Sequence, residues 1–362
     1  MKPRALYIHI PFCAHLCAYC DFAKVLYEPE WAFSYLSALK KEAQTLAIAP
    51  VDTIYIGGGT PSVLSSELLE DLLSFFAPYL LPGGEFTLEA NPENWSKEKA
   101  DICRRYGVNR LSLGVQSSSP RLLSLMGRHH TFQEAQKAYQ IAQEAGFDNI
   151  SVDLIYALPN ESKAELQADI AAALSFHSHH LSTYCLSVNP GTVFFNKRIP
   201  EMDQALAAEE YEAILQEFRQ QGYERYEVSN FAKKGYQSRH NLTYWHDEPY
   251  YGLGLGAAGY LNDIRYSNTR NLTAYLSGHY RFEEEKVTPE EDRKYFFLTN
   301  LRLAEGFSLA TYEKRFGERF EIRYQKEVEK LVASGLLLLT KERVHPTDRG
   351  ILLLDRILLA LY

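Results

Sequence analysis

Short apolar or alternating runs recur along the first half of the chain, separated by longer amphipathic segments. Runs of this kind, bounded by glycine, proline or asparagine, predict β-strands. They occupy residues 5–12, 53–60, 85–92, 110–117, 149–159 and 180–188. The segments between or after them have helical periodicity over residues 31–46, 65–76, 132–145, 163–174 and 207–221. This β-then-α order predicts parallel strands joined by right-handed crossovers.

Two architectures satisfy that order, an open doubly wound sheet and an incomplete barrel of about six βα units. In both of them, ligands bind at the carboxyl ends of the strands. The residues at these ends are unusually polar or rich in glycine, and they are the cysteine loop after Pro11, residues 57–61, residues 89–92, residues 116–117 and Asp153. Strand ends that converge in this way predict a single binding site.

The rhythm of strands and helices stops near Tyr223, which predicts further regions. We predict a βα region over residues 1–222 and an accessory region, rich in tyrosine, asparagine and glycine, over residues 223–287. Residues 288–362 are again helical, include a short hairpin and resemble a winged-helix module. The charges of this module are roughly balanced, which favours packing or partner docking over DNA binding.

The composition narrows the class of function. The chain has 362 residues and a formal net charge of -8, which gives no general attraction for nucleic acid. The amino-terminal apolar run is too short for a signal peptide or an anchor, and no segment approaches the length of a membrane-spanning helix. We therefore expect a cytoplasmic protein with reduced cysteines. The apolar segment 351–362 leaves contact with a membrane surface open.

Cys13, Cys17 and Cys20 form a C-x3-C-x2-C pattern directly after the first predicted strand. This spacing allows one loop to place three thiolates around an iron–sulfur cluster. A cubane cluster with three cysteine ligands leaves one iron open to an exchangeable molecule. The alternative is a structural zinc site, which needs a fourth ligand such as His9 or His15. Neither histidine has the spacing typical of zinc fingers.

The segment HIPFCAHLCAYCDF, residues 9–22, resembles the cluster loop of the radical S-adenosylmethionine superfamily. GGGTP, residues 57–61, resembles the second-strand glycine motif of the same superfamily. The resemblance implies a 4Fe-4S cluster that binds S-adenosylmethionine and cleaves it reductively to a deoxyadenosyl radical. Taken alone, the glycine motif is also compatible with a plain βα turn. It lacks the Lys-Ser/Thr pair of a P-loop.

Nearly the whole chain resembles the coproporphyrinogen-dehydrogenase branch of that superfamily, through YIHIPFC, GGGTPS, FTLEANPE, RLSLGVQS and VDLIYALP. This implies an α/β fold, a partial (βα)6 TIM-like barrel with an accessory region and a carboxyl-terminal winged-helix-like module. It also implies that S-adenosylmethionine is contacted by Tyr7, Tyr19, Gly58, Gly59, Thr60, Glu89, Gln116, Arg128 and Asp153.

The chemistry of these side chains suits the implied roles. Glu89 can accept from the methionine ammonium, and Gln116 and Asp153 can bind ribose hydroxyls. The planar guanidinium of Arg128 can bind a carboxylate. For Glu89 and Asp153, the alternative is a helix cap or a salt bridge.

Residues 239–245, RHNLTYW, match the H-N-x-x-Y-W signature of the haem chaperones in this branch. The resemblance implies haem contacts by His240, Tyr244 and Trp245. The alternative is a packed aromatic pair beside a hydrogen-bonded histidine. The dehydrogenases carry a further cysteine two residues after the third, at the position where this chain has Phe22.

These features predict a haem chaperone that transfers haem to apo-haemoproteins. Its further partner would be an electron donor for the cluster, and its assembly a monomer or a homodimer. The alternative is an oxygen-independent coproporphyrinogen III dehydrogenase. We assign no catalytic residue.

Other conspicuous residues are expected to be structural. Cys103 and Cys185 are predicted to be buried thiols. The G-x-G-x-x-G pattern within residues 252–259 lacks the βαβ context of a dinucleotide site. A solvated loop, rather than a metal site, is predicted for His177, His179 and His180.

Overall fold

The computed structural model describes residues 2–362, and its first half alternates strands with helices. The strands are β1 (Ala5–Ile10), β2 (Phe12–Cys13), β3 (Val25–Leu26), β4 (Val51–Gly58), β5 (Leu80–Ala90), β6 (Arg110–Gln116), β7 (Asn149–Tyr156) and β8 (His180–Cys185). The helices are α1 (Pro29–Thr45), α2 (Ser66–Phe76), α3 (Lys97–Arg105), α4 (Pro120–Met126), α5 (Phe132–Glu144) and α6 (Lys163–Ser175). Short 3-10 turns lie at Pro61–Val63, Ala77–Tyr79 and Pro92–Asn94.

The parallel strands pair in the order β1, β4, β5, β6, β7, β8, so each of them neighbours the next one along the chain. One cavity is lined by residues near the carboxyl ends of β4 to β8 and by the loop after β1. Strands of a flat sheet could not all reach one cavity, so the sheet curves into a partial barrel. This curvature decides between the two architectures that the sequence permits. Apolar residues of the sheet, such as Ile54 and Leu113, pack with the surrounding helices in one hydrophobic core.

Side-chain caps fix where the barrel helices begin. At α5, Thr131 accepts from the backbone of Glu134 while Glu134 accepts from the backbone of Thr131, and Ser162 and Glu165 make the same exchange at α6. Such capping boxes satisfy two backbone donors that a helix start leaves free. The turns into these helices are therefore specified by local sequence.

The next part of the chain extends the barrel sheet at both edges. Its elements are α7 (Val193–Asn196), α8 (Gln204–Gln220), β9 (Glu224–Arg225), β10 (Asn230–Ala232), α9 (Arg239–Trp245), β11 (Tyr250–Leu253), β12 (Ala258–Leu261), β13 (Ile264–Asn268), α10 (Leu272–Leu276) and β14 (Arg281–Lys286). Strand β10 pairs antiparallel with β8, and β11 pairs parallel with β1. The glycines of residues 252–259 lie where β11 turns into antiparallel β12, so they do not form a strand–turn–helix unit.

The carboxyl-terminal part packs its own hydrophobic cluster. It contains α11 (Pro289–Asn300), β15 (Phe307–Ser308), α12 (Leu309–Phe316), α13 (Phe320–Arg323), α14 (Gln325–Ala333), β16 (Leu337–Leu339), β17 (Arg343–Pro346), α15 (Asp348–Leu352) and α16 (Leu354–Leu361). Helix α16 buries Leu354, Ile357, Leu358 and Leu361 in that cluster. Within residues 2–362, no helix is long and apolar enough to cross a membrane. The domain boundaries at 222/223 and 287/288 stay predictions.

Two sets of ion pairs join the carboxyl-terminal part to the rest. Asp348 pairs with Arg219 at 2.7 Å and with Arg225 at 2.9 Å. Asp247, which follows α9, pairs with Arg265 at 2.5 Å and with Arg315 at 2.7 Å. The side chain of Asp247 is buried, so its carboxylate is strongly bound by its two partners.

The structure confirms the predicted burial of Cys103 but not the predicted exposure of His180. Cys103 is fully buried in the core, as predicted. The prediction of a solvated loop is wrong for His180, which is fully buried at the start of β8. Its Nδ1 lies 2.8 Å from Ser151 Oγ and its Nε2 lies 2.9 Å from the Tyr226 hydroxyl. The ring points into the barrel, where these hydroxyls replace water.

Candidate functional site

A cavity of about 370 Å³ opens at the carboxyl ends of the barrel strands. It is lined by Cys13, Cys17 and Cys20 together with Tyr19, Gly58, Gly59, Thr60, Glu89, Gln116, Arg128 and Asp153. Tyr7 lies outside this lining, with its hydroxyl 2.9 Å from Nδ1 of His9. The structure therefore brings the predicted cluster residues and nearly all predicted cofactor residues to one place.

The cysteine loop is held at both of its ends. Strands β2 and β3 pair Phe12 with Val25 and Cys13 with Leu26, which closes the loop. Nε2 of His9 lies 2.7 Å from the carbonyl oxygen of Ala23. The backbone N–H of Ala18, within the loop, donates to the Met126 carbonyl at 2.9 Å. These bonds fix the loop so that its thiols face the cavity.

The two histidines of the zinc alternative differ in position. His9 has one ring nitrogen on the Tyr7 hydroxyl and the other on the Ala23 carbonyl. His15 packs its ring against His129, with 3.9 Å between ring centroids, and it lines the cavity beside the cysteines. The loop thus presents three thiols to the cavity, the donor set of a cluster with one open iron.

Cys13 is only 7% exposed. Burial raises the pKa of Cys13 to about 12, although the Thr60 hydroxyl, 3.9 Å from the sulfur, acts in the opposite direction. The thiol therefore keeps its proton at neutral pH until a metal replaces it. Cluster binding at this loop should release protons.

The glycine motif allows other atoms of the protein to pack closely against its backbone. A Cβ at Gly57 would lie 2.7 Å from the carboxyl carbon of Glu89, and a Cβ at Gly59 would lie 2.8 Å from the backbone of Pro11 and Phe12. At Gly58, φ is +113°, a conformation that favours glycine. Gly58 and Gly59 also line the cavity, so their contact with S-adenosylmethionine stays a prediction.

Glu89 and Asp153 are held by neighbours inside the barrel. Glu89 accepts from the Tyr55 hydroxyl at 2.6 Å and from the N–H of Gly58 at 3.0 Å. Asp153 accepts from Ser112 at 2.7 Å and from Ser151 at 2.8 Å. These partners are strand residues, so the carboxylates act neither as helix caps nor as members of a salt bridge.

Burial dominates the electrostatics of both carboxyl groups. It raises the pKa of Glu89 to about 7, against the lowering effect of its hydrogen bonds from Tyr55 and Gly58. Burial also raises the pKa of Asp153, and the hydroxyls of Ser112 and Ser151 oppose that shift. A cation that binds between them would favour the ionised forms.

Gln116 has an unusual backbone conformation, and Arg128 has a polar atom left unpaired in the part of the chain that the structure describes. Gln116 has φ of +68° and is 9% exposed, and a non-glycine residue in this region carries strain of about 1–3 kcal/mol. Nε of Arg128 is buried and has no hydrogen-bond partner in residues 2–362. A carboxylate in the cavity would supply the missing acceptor. These observations fit S-adenosylmethionine, whose methionine part carries a carboxylate and an ammonium.

Sequence reasoning missed several residues that line the cavity, namely Ser112, Tyr184, Cys185, Leu186 and Asn189. The prediction that Cys185 is buried is wrong, because it is exposed at the carboxyl end of β8. Most of these residues lie at or just after a strand end, so the rule that found Glu89 and Asp153 could also have found them.

The H-N-x-x-Y-W segment lies away from the cavity, on α9 at the opposite end of the barrel. The Glu85 carboxylate accepts from the backbone N–H groups of Arg239 and His240, both at 3.0 Å. His240 is fully buried, with Nδ1 2.8 Å from Thr53 Oγ1 and Nε2 2.7 Å from the Tyr244 hydroxyl. Burial lowers the pKa of His240 to about 3, so the imidazole is neutral.

The aromatic residues of this segment are also packed. The Tyr244 ring lies 4.6 Å from the Tyr250 ring, and the guanidinium of Arg302 lies 5.7 Å from the Trp245 ring. The hydrogen-bonded histidine beside aromatic rings, foreseen as the alternative, is therefore the observed arrangement. A haem role for His240, Tyr244 and Trp245 stays a prediction, and ligation through His240 requires one of its bonds to break.

Comparisons with known proteins identify the family. A Radical SAM superfamily model matches residues 7–173, and a HemN C-terminal domain model matches residues 287–353. The chain is 40% identical to the Heme chaperone HemW of Lactococcus lactis subsp. lactis, over 96% of this chain and 94% of that protein. The chain belongs to the HemW family. The HemW relative from Bacillus subtilis is 38% identical over 97% of both chains.

A solved structure supports the fold. Coproporphyrinogen III oxidase (HemN) from Escherichia coli, described as a radical SAM enzyme, superposes with a TM-score of 0.87 at 22% identity. The match covers 99% of this chain and 90% of that one. Membership of HemW in the radical SAM superfamily implies a 4Fe-4S cluster and S-adenosylmethionine. Both groups suit the thiols and polar side chains of the cavity.

Proposed function

We propose that this chain binds haem and transfers it to apo-haemoproteins. The observation that carries the proposal is Phe22, which is 60% exposed and lines the cavity beside the cysteine loop. The dehydrogenases that the sequence resembles have a cysteine at this position, whereas a phenyl ring supplies no thiol. Relatives from Lactococcus lactis and Bacillus subtilis that bear the name Heme chaperone HemW support the same conclusion.

Cys13, Cys17 and Cys20 would hold the cluster, which supplies one electron for cleavage of a sulfur–carbon bond when it is bound and reduced. Glu89 would accept from the ammonium of S-adenosylmethionine, and Arg128 would donate to its carboxylate. Ribose hydroxyls would bind Gln116 and Asp153. The remaining contacts are proposed for Tyr7, Tyr19, Gly58, Gly59 and Thr60. An electron donor would serve the cluster.

Haem would bind at the H-N-x-x-Y-W segment, with His240 as the proposed iron ligand and Tyr244 and Trp245 beside the macrocycle. A neutral imidazole is the form that ligates iron, and His240 is neutral. The acceptor would be an apo-haemoprotein. Because both imidazole nitrogens are hydrogen-bonded, the proposal includes an opening of this segment before haem binds.

One experiment separates the chaperone from the dehydrogenase. The anaerobically reconstituted protein is given reductant, S-adenosylmethionine and coproporphyrinogen III, and the porphyrins are separated by chromatography. A parallel titration follows the haem absorption band, and the haem-loaded protein is then mixed with apomyoglobin. We expect saturable haem binding, transfer to apomyoglobin and no decarboxylated product. Decarboxylation over several turnovers would instead support coproporphyrinogen III dehydrogenase activity.

A further inference from the structure

Two neighbouring strands carry polar residues along the inside of the barrel, from the H-N-x-x-Y-W end to the cavity. Thr53 and Tyr55 lie on one face of β4, because side chains two positions apart share a face. Glu85 and Glu89 lie on the matching face of β5, with Thr53 opposite Glu85. Thr53 and Glu85 contact α9, whereas Glu89 lines the cavity. Tyr55 lies between these two levels.

Tyr55 contacts Glu89 on the cavity side and His240 on the α9 side. Its hydroxyl donates to Oε1 of Glu89 at 2.6 Å. Its ring lies against the imidazole of His240, with 5.1 Å between centroids and 31° between planes. His240 is in turn held by Thr53 and Tyr244. One side chain thus joins the proposed ammonium acceptor to the proposed haem ligand.

We propose that Tyr55 couples the two ligand sites, so that S-adenosylmethionine and haem weaken each other's binding. This inference rests on the proposed function and adds its regulation. Iron can reach His240 only when the imidazole leaves Thr53 or Tyr244, and that movement also changes its packing on Tyr55. An ammonium bound to Glu89 orders the carboxylate that holds the Tyr55 hydroxyl, which favours the closed arrangement.

Thermodynamic linkage makes the effect reciprocal. If S-adenosylmethionine weakens haem binding by some factor, haem must weaken S-adenosylmethionine binding by the same factor. Couplings between sites commonly lie in the range of about 5- to 150-fold. The expected consequence is that arrival of S-adenosylmethionine promotes release of haem. Haem transfer would then be controlled from the cluster end of the barrel.

The test uses the reconstituted holoprotein with its cluster. Calorimetry gives the affinity for S-adenosylmethionine with and without bound haem, and the absorption band gives the affinity for haem with and without S-adenosylmethionine. We expect a reciprocal weakening of about fivefold or more. Tyr55→Phe keeps the ring but removes the hydroxyl, so both ligands should still bind while the coupling factor falls towards one.

Tyr211→Phe is the matched control, because it removes a hydroxyl that is bonded to the Val228 carbonyl at 2.8 Å, away from both sites. This variant should retain the coupling. Thr53→Val tests the closed arrangement without changing Tyr55. It preserves side-chain shape while removing the bond to His240 Nδ1, so haem affinity should rise several-fold. Cluster content verifies that each variant is folded.

Three results would overturn the inference. Coupling that persists in Tyr55→Phe would show that the Tyr55 hydroxyl does not transmit it. Independent binding of the two ligands in the unmodified protein would show that the two sites are not coupled. A haem affinity that is greater in the presence of S-adenosylmethionine would show that the coupling has the opposite sign. Failure of the unmodified protein to bind haem is a separate result, which overturns the proposed function and the coupling with it.

Discussion

The two ends of the barrel differ in how far their polar groups are satisfied. At the cavity end, three thiols face an open space, a guanidinium nitrogen of Arg128 is buried without a partner in residues 2–362, and Gln116 has a strained backbone. At the α9 end, both ring nitrogens of His240 and the carboxylate of Glu85 have hydrogen-bond partners, although Nε1 of Trp245 is buried without one in residues 2–362. The first end is prepared for ligands, whereas the second must rearrange to admit one.

The closed end also supports the architecture. Helix α9 is capped by Glu85 of the barrel at its start, and Asp247 after its end pairs with Arg315 of the carboxyl-terminal part. A ligand that displaces α9 therefore disturbs the joint between barrel and carboxyl-terminal part. This difference predicts that substitutions at the cavity end change ligand binding, while substitutions at the α9 end first change stability.

The largest effect is expected at the cysteine loop. Cys13→Ala, Cys17→Ala or Cys20→Ala should each abolish cluster binding while leaving a folded protein, because the loop lies on the barrel rim. Iron and sulfide analysis after anaerobic reconstitution measures this, with circular dichroism to check the fold. Cys185→Ala is the control, since Cys185 lines the same cavity outside the loop. Full cluster content in any of the three loop variants would refute its ligand role.

The next effect concerns S-adenosylmethionine. Glu89→Ala and Asp153→Ala should keep the cluster but weaken binding about 10- to 100-fold, because a lost charge-assisted hydrogen bond costs about 1.5–3 kcal/mol. Titration calorimetry reports the change. Asp21→Ala removes another carboxylate from the cavity lining, one without a proposed cofactor contact, and should have a small effect. Unchanged affinity in both test variants would show that the strand-end assignment is wrong.

The strand order and the cysteine loop could be predicted because each depends on short-range pattern. Alternating apolar residues specify β1 and β4 to β8, and three cysteines within eight positions specify the loop. The orientations of His180 and Cys185 could not be predicted in this way. Each depends on which face of β8 turns inward once the sheet has curved, and His180 is stabilised there by Ser151 and Tyr226.

The closed state of the H-N-x-x-Y-W segment depends on contacts that are remote in sequence. His240 meets Thr53 across 187 positions, and its backbone meets Glu85 across 155. No periodicity within residues 239–245 indicates that these strands supply partners. The motif could therefore be found from sequence, whereas its burial could only be seen in the fold.

A smaller effect is expected at the closed end. His240→Ala leaves the hydroxyls of Thr53 and Tyr244 without their partner, and an unsatisfied buried polar group costs about 1–3 kcal/mol. Denaturant unfolding should show this loss even without haem. His177→Ala, at an exposed position, is the control and should be nearly neutral. Full stability of the His240 variant would show that this end is not closed by these bonds.

The smallest effect is a pH dependence that distinguishes the two ends. Burial raises the pKa of Glu89 to about 7, so lowering the pH through 7 protonates the carboxyl group and removes its charge. Only the ionised form accepts from an ammonium with full strength. Affinity for S-adenosylmethionine should therefore rise with pH, by up to about tenfold per unit below the pKa of Glu89. The measurement runs from pH 5.5 to 7.5, because an α-amino group can lose its own proton near pH 8.

The closed end should not share this dependence. The pKa of His240 is lowered to about 3 by burial, so its imidazole stays neutral from pH 5.5 to 7.5 and its protonation should not change haem affinity there. Glu89→Gln should flatten the S-adenosylmethionine profile, whereas His240→Ala should leave that profile in place. An S-adenosylmethionine affinity that falls as pH rises would contradict the role of Glu89. A haem affinity that changes tenfold over the same interval would locate the iron ligand at a residue other than His240, with His246 the nearest histidine in sequence.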